Sequence, residues 1–399
     1  MAAHDQRKGM EMTDTKSTAA EEIRISGDSH VSEPPDLWER NLPAKYRDRA
    51  LKFPRIEYGK HNHARPGGWD ATERLKDMAV DGISAEVLYP TLAKSIYERF
   101  YTEPVDVGLA QACDRVYNDW MIEFCKIAPE RLWGQATISL WDIDYAIAEL
   151  QRTHEAGLPG AAIWVAPPDD LPWTGDHYER FWSAAEDLSV PMGMHINVGF
   201  GNYVDRLGER RFDDRFLTLS RQAYGHKVVA MKTIADLILS GALERHPRLK
   251  IVLAEFEVGW IPFFLEDLDR KLGRNTGLGL RMLPSEYFSR QVYSTFMQDG
   301  VGTFLLQRWG VDNFVYSNDY PHAGGIWPYT DDTIELTLRS LPAETRRKVL
   351  GGTLAKVYGK PAPPPMDRQP MPDSDVWQRP WLKKAGEFSF DKPKMGLAV

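Results

Sequence analysis

A (β/α)8 TIM barrel is the fold this 399-residue chain predicts. Three observations predict it. Short apolar runs alternate with amphipathic helical stretches along most of the chain. Eight such runs occur, the strand number of a closed parallel barrel. Several are β-branched or almost wholly apolar, as strands covered on both faces must be. A doubly wound open sheet is the alternative, but no G-x-G-x-x-G follows the first strand.

The elements follow in order. Residues 1–22 are polar and aperiodic and read as a disordered leader, and the barrel body spans 23–360. The first strand is 23–26. About forty residues separate His30 from a helix over 70–80, and a connection this long reads as a lid or binding loop. It carries His61, His63 and Trp69. The second strand is 85–89. The helix over 106–126 holds both cysteines, Cys113 and Cys125, about three turns apart, so they read as two buried thiols. Strands three, four and five are 132–138, 160–165 and 190–195, with helices over 142–154 and 178–188 between them. A long helical segment, 216–245, precedes strand six at 250–254. A helix over 258–272, strand seven at 291–294, strand eight at 313–317 and a helix over 343–357 complete the barrel. Residues 361–399 hold eight of the 27 prolines together with Trp377, Trp381, Phe388 and Phe390. They read as an extended arm laid over the body or over a second subunit, and a homodimer is the expected assembly.

Charge and composition narrow the function. Lys+Arg is 49 against 57 Asp+Glu, a net charge of −8, which argues against a nucleic-acid partner. Two cysteines are too few for a disulfide framework or a thiolate metal cluster. The most apolar stretch, 228–243, is broken by Lys232 and Asp236, so no membrane span is expected. The N-terminus has no apolar signal core, and a cytoplasmic enzyme acting on a small molecule is expected.

In a barrel, reactive groups gather just past the carboxyl ends of the strands. Four places there carry them. Asp28 and His30 follow the first strand at i, i+2, so in an extended chain they project together. His195 ends the fifth apolar run. Glu255 and Glu257 follow the sixth and, at i, i+2, are expected to share a face, where a carboxylate is costly unless paired or coordinated. Asp319 follows the eighth, with His322 three residues on. Nitrogen and oxygen donors without sulfur suit zinc, manganese or iron. Tyr89 and Trp164, after strands two and four, are candidate pocket walls, and His63 and His322 candidate substrate contacts. Glu33 is a candidate to buttress the ligands by hydrogen bonds. Lys232 is a candidate contact for a substrate carboxylate. His154, His177 and His246 read as surface groups.

These residues sit in recognisable motifs: Asp28-Ser-His-Val-Ser-Glu-Pro-Pro-Asp-Leu-Trp38, Met194-His195, His246-Pro-Arg-Leu-Lys-Ile-Val-Leu-Ala-Glu255 and Ser317-Asn-Asp-Tyr-Pro-His322. The chain resembles, over about 23–358, the amidohydrolase-related family that includes the aminocarboxymuconate-semialdehyde decarboxylase-like enzymes. The resemblance implies one divalent metal at the top of a TIM barrel, held by Asp28, His30, His195 and Asp319, with zinc the expected ion. It implies hydrolysis or decarboxylation. Decarboxylase-like members tend to carry a catalytic His after strand six, where this chain has Glu255. A carboxylate suits a ligand or a base for water better than a proton donor at neutral pH. Hydrolysis of a small cyclic or aromatic substrate by a metal-activated water is therefore the first expectation, with Asp319 and Glu255 as catalytic groups. Non-oxidative decarboxylation of an aromatic or enoic acid is the alternative.

Overall fold

The computed structural model describes residues 22–52, 65–100, 103–200, 221–274, 277–306, 309–310, 312–322 and 324–370. The strands are β1 (Ile25–His30), β2 (Ala85–Tyr89), β3 (Leu132–Thr137), β4 (Gly160–Ile163), β5 (Met192–His195), β6 (Ile251–Ala254), β7 (Val292–Phe296) and β8 (Phe314–Tyr316). They pair in parallel and in sequence order. Just beyond β8 the ring is drawn shut. Asp319 N–H donates to the Asp28 carbonyl at 2.9 Å, and His30 N–H to the Tyr320 carbonyl. The fold is a (β/α)8 TIM barrel.

The inward positions fill the barrel with Ile25, Val87, Trp133, Val252 and Val315, joined by Leu354 and Val357 of the helix Thr353–Tyr358. A Cβ on Gly193 of β5 would lie 2.6 Å from the Tyr89 hydroxyl, so the glycine makes room for that ring. A larger apolar cluster fills the space between strands and outer helices. Helices begin where Asp side chains accept from free N–H groups. Asp70 caps Ala71–Asp81, Asp106 caps Val107–Cys125 and Asp142 caps Ile143–Glu155.

Some boundaries differ from expectation, for physical reasons. β1 runs on to His30, since the strand face at the barrel mouth needs no apolar side chains. Within the predicted helix 216–245, the described part divides into His226–Leu239 and Ala242–Arg245 at Gly241, whose φ is 78°. The predicted helix 343–357 is Ala343–Arg347 and Thr353–Tyr358, separated by a wider turn at Lys348–Gly352. Cys113 and Cys125 are free and buried in one helix.

The long first connection is pinned at both described ends. Trp38 is buried and donates from Nε1 to the Cys113 carbonyl, and Ser32 N–H donates to the Gly68 carbonyl. His61 and His63 lie outside the described residues, as do residues 1–21, Trp377, Trp381, Phe388 and Phe390. Residues 361–370 hold to the body through Arg131 on the Pro364 carbonyl and Gln369 N–H on the Ala79 carbonyl. His246 is not the expected surface group: it is buried and meets Glu179 at 3.0 Å. Likewise His177 contacts the Leu140 carbonyl at 2.7 Å. Among the described residues, no helix is long and apolar enough to cross a membrane.

Candidate metal centre

Four strand ends deliver side chains to one point at the mouth. A register irregularity in β1 between Ser26 and Ser29 sets the strand end, with Asp28 and His30 both buried. The His30 ring is turned by its Nδ1, 3.0 Å from the Pro90 carbonyl after β2. His195 ends β5, and its Nδ1 lies 2.8 Å from the Ile196 carbonyl. Each imidazole therefore spends its one neutral N–H on a backbone oxygen, and each Nε2 is left as an acceptor. The two Nε2 atoms face one another at 2.9 Å.

Two lone pairs at that separation repel unless a cation or proton lies between them. A proton is disfavoured. Burial, with the charge of Lys94 added, pushes His195 down to about 4. Burial and the neighbouring His322 hold His30 well below its ordinary value. The acids tell the same story. Asp28 Oδ1 stands 3.6 Å from His30 Nε2 and 3.5 Å from His195 Nε2, and both Asp28 oxygens are buried without a hydrogen-bond partner among the described residues. Burial pushes the Asp28 carboxyl up from its ordinary range. Glu255 Oε2 lies 3.4 Å from His195 Nε2, and burial, then the charge of Asp319, raises that carboxyl too. Acceptors facing acceptors, with buried carboxylates lacking donors, is the donor set a divalent cation satisfies. The residues present fit a metal ion.

Potential ligand atoms of Asp28, His30, His195 and Glu255 lie within 4.8 Å of one another. A second group, sharing His30 and Glu255, adds Asp319 and His322. Asp319 Oδ1 is 3.7 Å from His30 Nε2 and 2.9 Å from His322 Nδ1. The His322 ring stacks on His30 with centroids 3.7 Å apart. Thus the four ligands expected from sequence all reach the mouth, and Glu255 completes a tetrad with three of them. Glu255 and Glu257 do not share an extended face as expected. Both are left-handed, at φ 68° and 57°, because β6 has ended at Ala254.

Tyr89, Pro90, Lys94, Tyr97, His195 and Val198 line a pocket beside this centre. Trp164, expected as a pocket wall, is instead fully buried behind it, against Trp141 at 4.9 Å and Tyr97 at 5.9 Å between ring centroids. Glu33 makes no bond to the ligands. Its carboxylate accepts from the N–H groups of Thr91, Leu92 and Ala93, so it shapes the loop after β2. Lys232 is exposed and pairs with Asp236 on its own helix. Sequence reading missed Lys94 and Arg74. Arg74 donates to the His30 carbonyl at 2.7 Å and to Glu86 at 2.5 Å. Neither residue lies at a strand end, where the reactive groups of a barrel gather.

The profile of the family described as Amidohydrolase matches residues 30–360. The chain belongs to that family. It is an enzyme of the amidohydrolase superfamily. A gamma-resorcylate decarboxylase of Rhizobium sp. (strain MTP-10005) is 26% identical over 226 residues, which is 51% of this chain and 64% of that protein. The match thus spans a little under two thirds of that relative's length. Among solved structures, an amidohydrolase from Mycobacterium avium subsp. paratuberculosis K-10 superposes with TM-score 0.72 at 17% identity, covering 85% of this chain and 99% of that one. A 5-carboxyvanillate decarboxylase from Novosphingobium aromaticivorans DSM 12444, complexed with manganese, has TM-score 0.66 at 19% identity, covering 85% and 96%. The ion in that structure is manganese, one of the three that the donor set of this chain suits, where zinc was the first expectation.

Proposed function

We propose that this protein is a metal-dependent, non-oxidative decarboxylase of a small aromatic acid. The observation that carries the reading is the paired Nε2 acceptors above a donorless Asp28, a cation seat beside a pocket with two tyrosines in its wall, in a chain similar to aromatic-acid decarboxylases. The comparisons favour this alternative over the hydrolysis first expected. Asp28, His30, His195 and Glu255 would hold one divalent ion, with Asp319 beside them; manganese is the ion to load first. When bound, the ion supplies a Lewis-acid anchor for the substrate carboxylate and a neighbouring oxygen.

The protein's own groups do the rest. The tyrosine-bearing wall orients the ring. The bond from ring carbon to carboxylate breaks, its electron pair stays on the carbon, and carbon dioxide leaves. That carbon then takes the proton of the Asp319 carboxylic acid, oriented by His322 Nδ1, and the carboxylate left behind regains a proton from water. The imidazole absent after β6 is in this way supplied from the loop after β8. The missing His at position 255 therefore does not exclude decarboxylation.

The test is to incubate the manganese-loaded protein with gamma-resorcylate and with 5-carboxyvanillate in ¹⁸O-water. The expected outcome is carbon dioxide released in step with loss of the acid, and no ¹⁸O in the aromatic product. An ¹⁸O-labelled aromatic product, or turnover of esters or amides in place of acids, overturns the reading.

A further inference from the structure

The pocket holds a cation that the decarboxylation reading does not use. Lys94 lies in its wall, with Tyr97 and His195. Its backbone is fixed, since the three preceding N–H groups donate to the buried Glu33 carboxylate at 2.9 to 3.3 Å. It is followed by the buried Ile96 and Tyr97. Among the described residues, its ammonium has no hydrogen bond and no carboxylate within 4.0 Å. Its charge reaches Asp28, His30, His195, Glu255 and His322 alike. Loading a divalent ion at those residues would set two positive centres in one pocket. The carboxylates of Asp28 and Glu255 would answer the ion's charge, which leaves the Lys94 ammonium to be answered by an anion that enters the pocket.

We propose that Lys94 is a specificity-determining residue that binds a second oxyanion on the aromatic ring, a carboxylate or a phenolate, besides the group held at the metal centre. The inference rests on the aromatic-acid reading above. It names the substrate class more narrowly: a ring carrying a further acidic group for Lys94 besides the one held at the metal centre, not a simple benzoate. Glu33 then acts as a positioning residue for Lys94, which accounts for a buried carboxylate that touches no ligand.

Calorimetric titration of the manganese-loaded full chain with benzoate, isophthalate and 4-hydroxy-3-nitrobenzoate tests this. Isophthalate supplies a second carboxylate as the further oxyanion, and the nitrophenol a phenolate. At least one of them is expected to bind wild type roughly tenfold or more tighter than benzoate. Which one does so identifies the second group. Lys94→Met is expected to erase that preference while binding manganese as tightly as wild type or tighter, and Lys94→Arg to keep most of it. Equal binding of all three by wild type, or a preference that survives in Lys94→Met, removes Lys94 from recognition. Benzoate binding in that event leaves the decarboxylase reading standing. Failure of all three probes to bind wild type overturns both.

Discussion

Two buried polar clusters share the β1–β8 side of the barrel, and they are built on opposite plans. Behind the strands, every carboxylate meets a donor. Asp77 pairs with Arg65 and accepts from Tyr320; Glu86 takes the Arg74 guanidinium; Asp81 accepts from Thr330 N–H at 3.0 Å, its hydroxyl at 2.6 Å and Asn318 at 3.2 Å. At the mouth, Asp28 has no donor and the two imidazoles present acceptors to each other. The chain passes straight from one plan to the other, for Asp319 stands between Asn318 and Tyr320. A satisfied network holds the fold by itself. An unsatisfied one gains its stability from what binds.

The largest effect is expected from Arg74→Met. It strands buried Glu86 and releases the His30 carbonyl, and is expected to cost about 3–5 kcal/mol of folding stability in denaturant titration. An unchanged midpoint would mean that the rear cluster carries no stability. The mouth behaves in reverse. His195→Ala is expected to leave the metal-free protein as stable as wild type, while its manganese affinity, read by competition with a chelator, falls by about a hundredfold or more. Manganese at about a hundred times its wild-type dissociation constant should stabilise wild type by about 2.7 kcal/mol and the variant by about 0.4 kcal/mol or less. A metal-free variant that unfolds early would show the mouth to be structural too.

The smallest effect sharpens the contrast through pH. Burial raises Asp81 from 3.8 to about 6 despite its hydrogen bonds. The folded state then holds this proton where the unfolded chain has lost it, so between about pH 4 and 6 folding binds the extra proton. Stability from this group is fully present at the acid end and declines as pH rises through about 6. Asp81→Asn should flatten that slope in a pH series of unfolding curves; an unchanged slope assigns it to another group.

What could be read along the chain depended on where a residue's partners lie. Asp28 and His30 were legible because neighbours at i, i+2 on a strand must point the same way. His195 and Asp319 were legible because a polar group closing an apolar run marks a strand end. Glu255 was legible as a site group but not in its posture, since the left-handed turn after Ala254 breaks the alternation. Trp164 was misplaced because a strand-end aromatic can turn toward the pocket or away from it, and packing against Trp141 and Tyr97 turned it away. Lys232 drew attention as a cation in an apolar helix, yet it reaches Asp236 one turn along and stays outside. Lys94, with nothing unusual around it in sequence, is the cation that faces the mouth.

The order of apolar and polar residues was by itself enough to determine the barrel, its strand number and the strand ends that bear acids and imidazoles, because strand and helix periods are local properties of the chain. Only the folded ring decided which Nε2 meets which, that Asp28 finds no donor, and that Glu33 grips the loop beneath Lys94. Those are contacts between residues up to 165 positions apart, as in the meeting of His30 with His195. Closure of the barrel sets such distances, and no local periodicity encodes them.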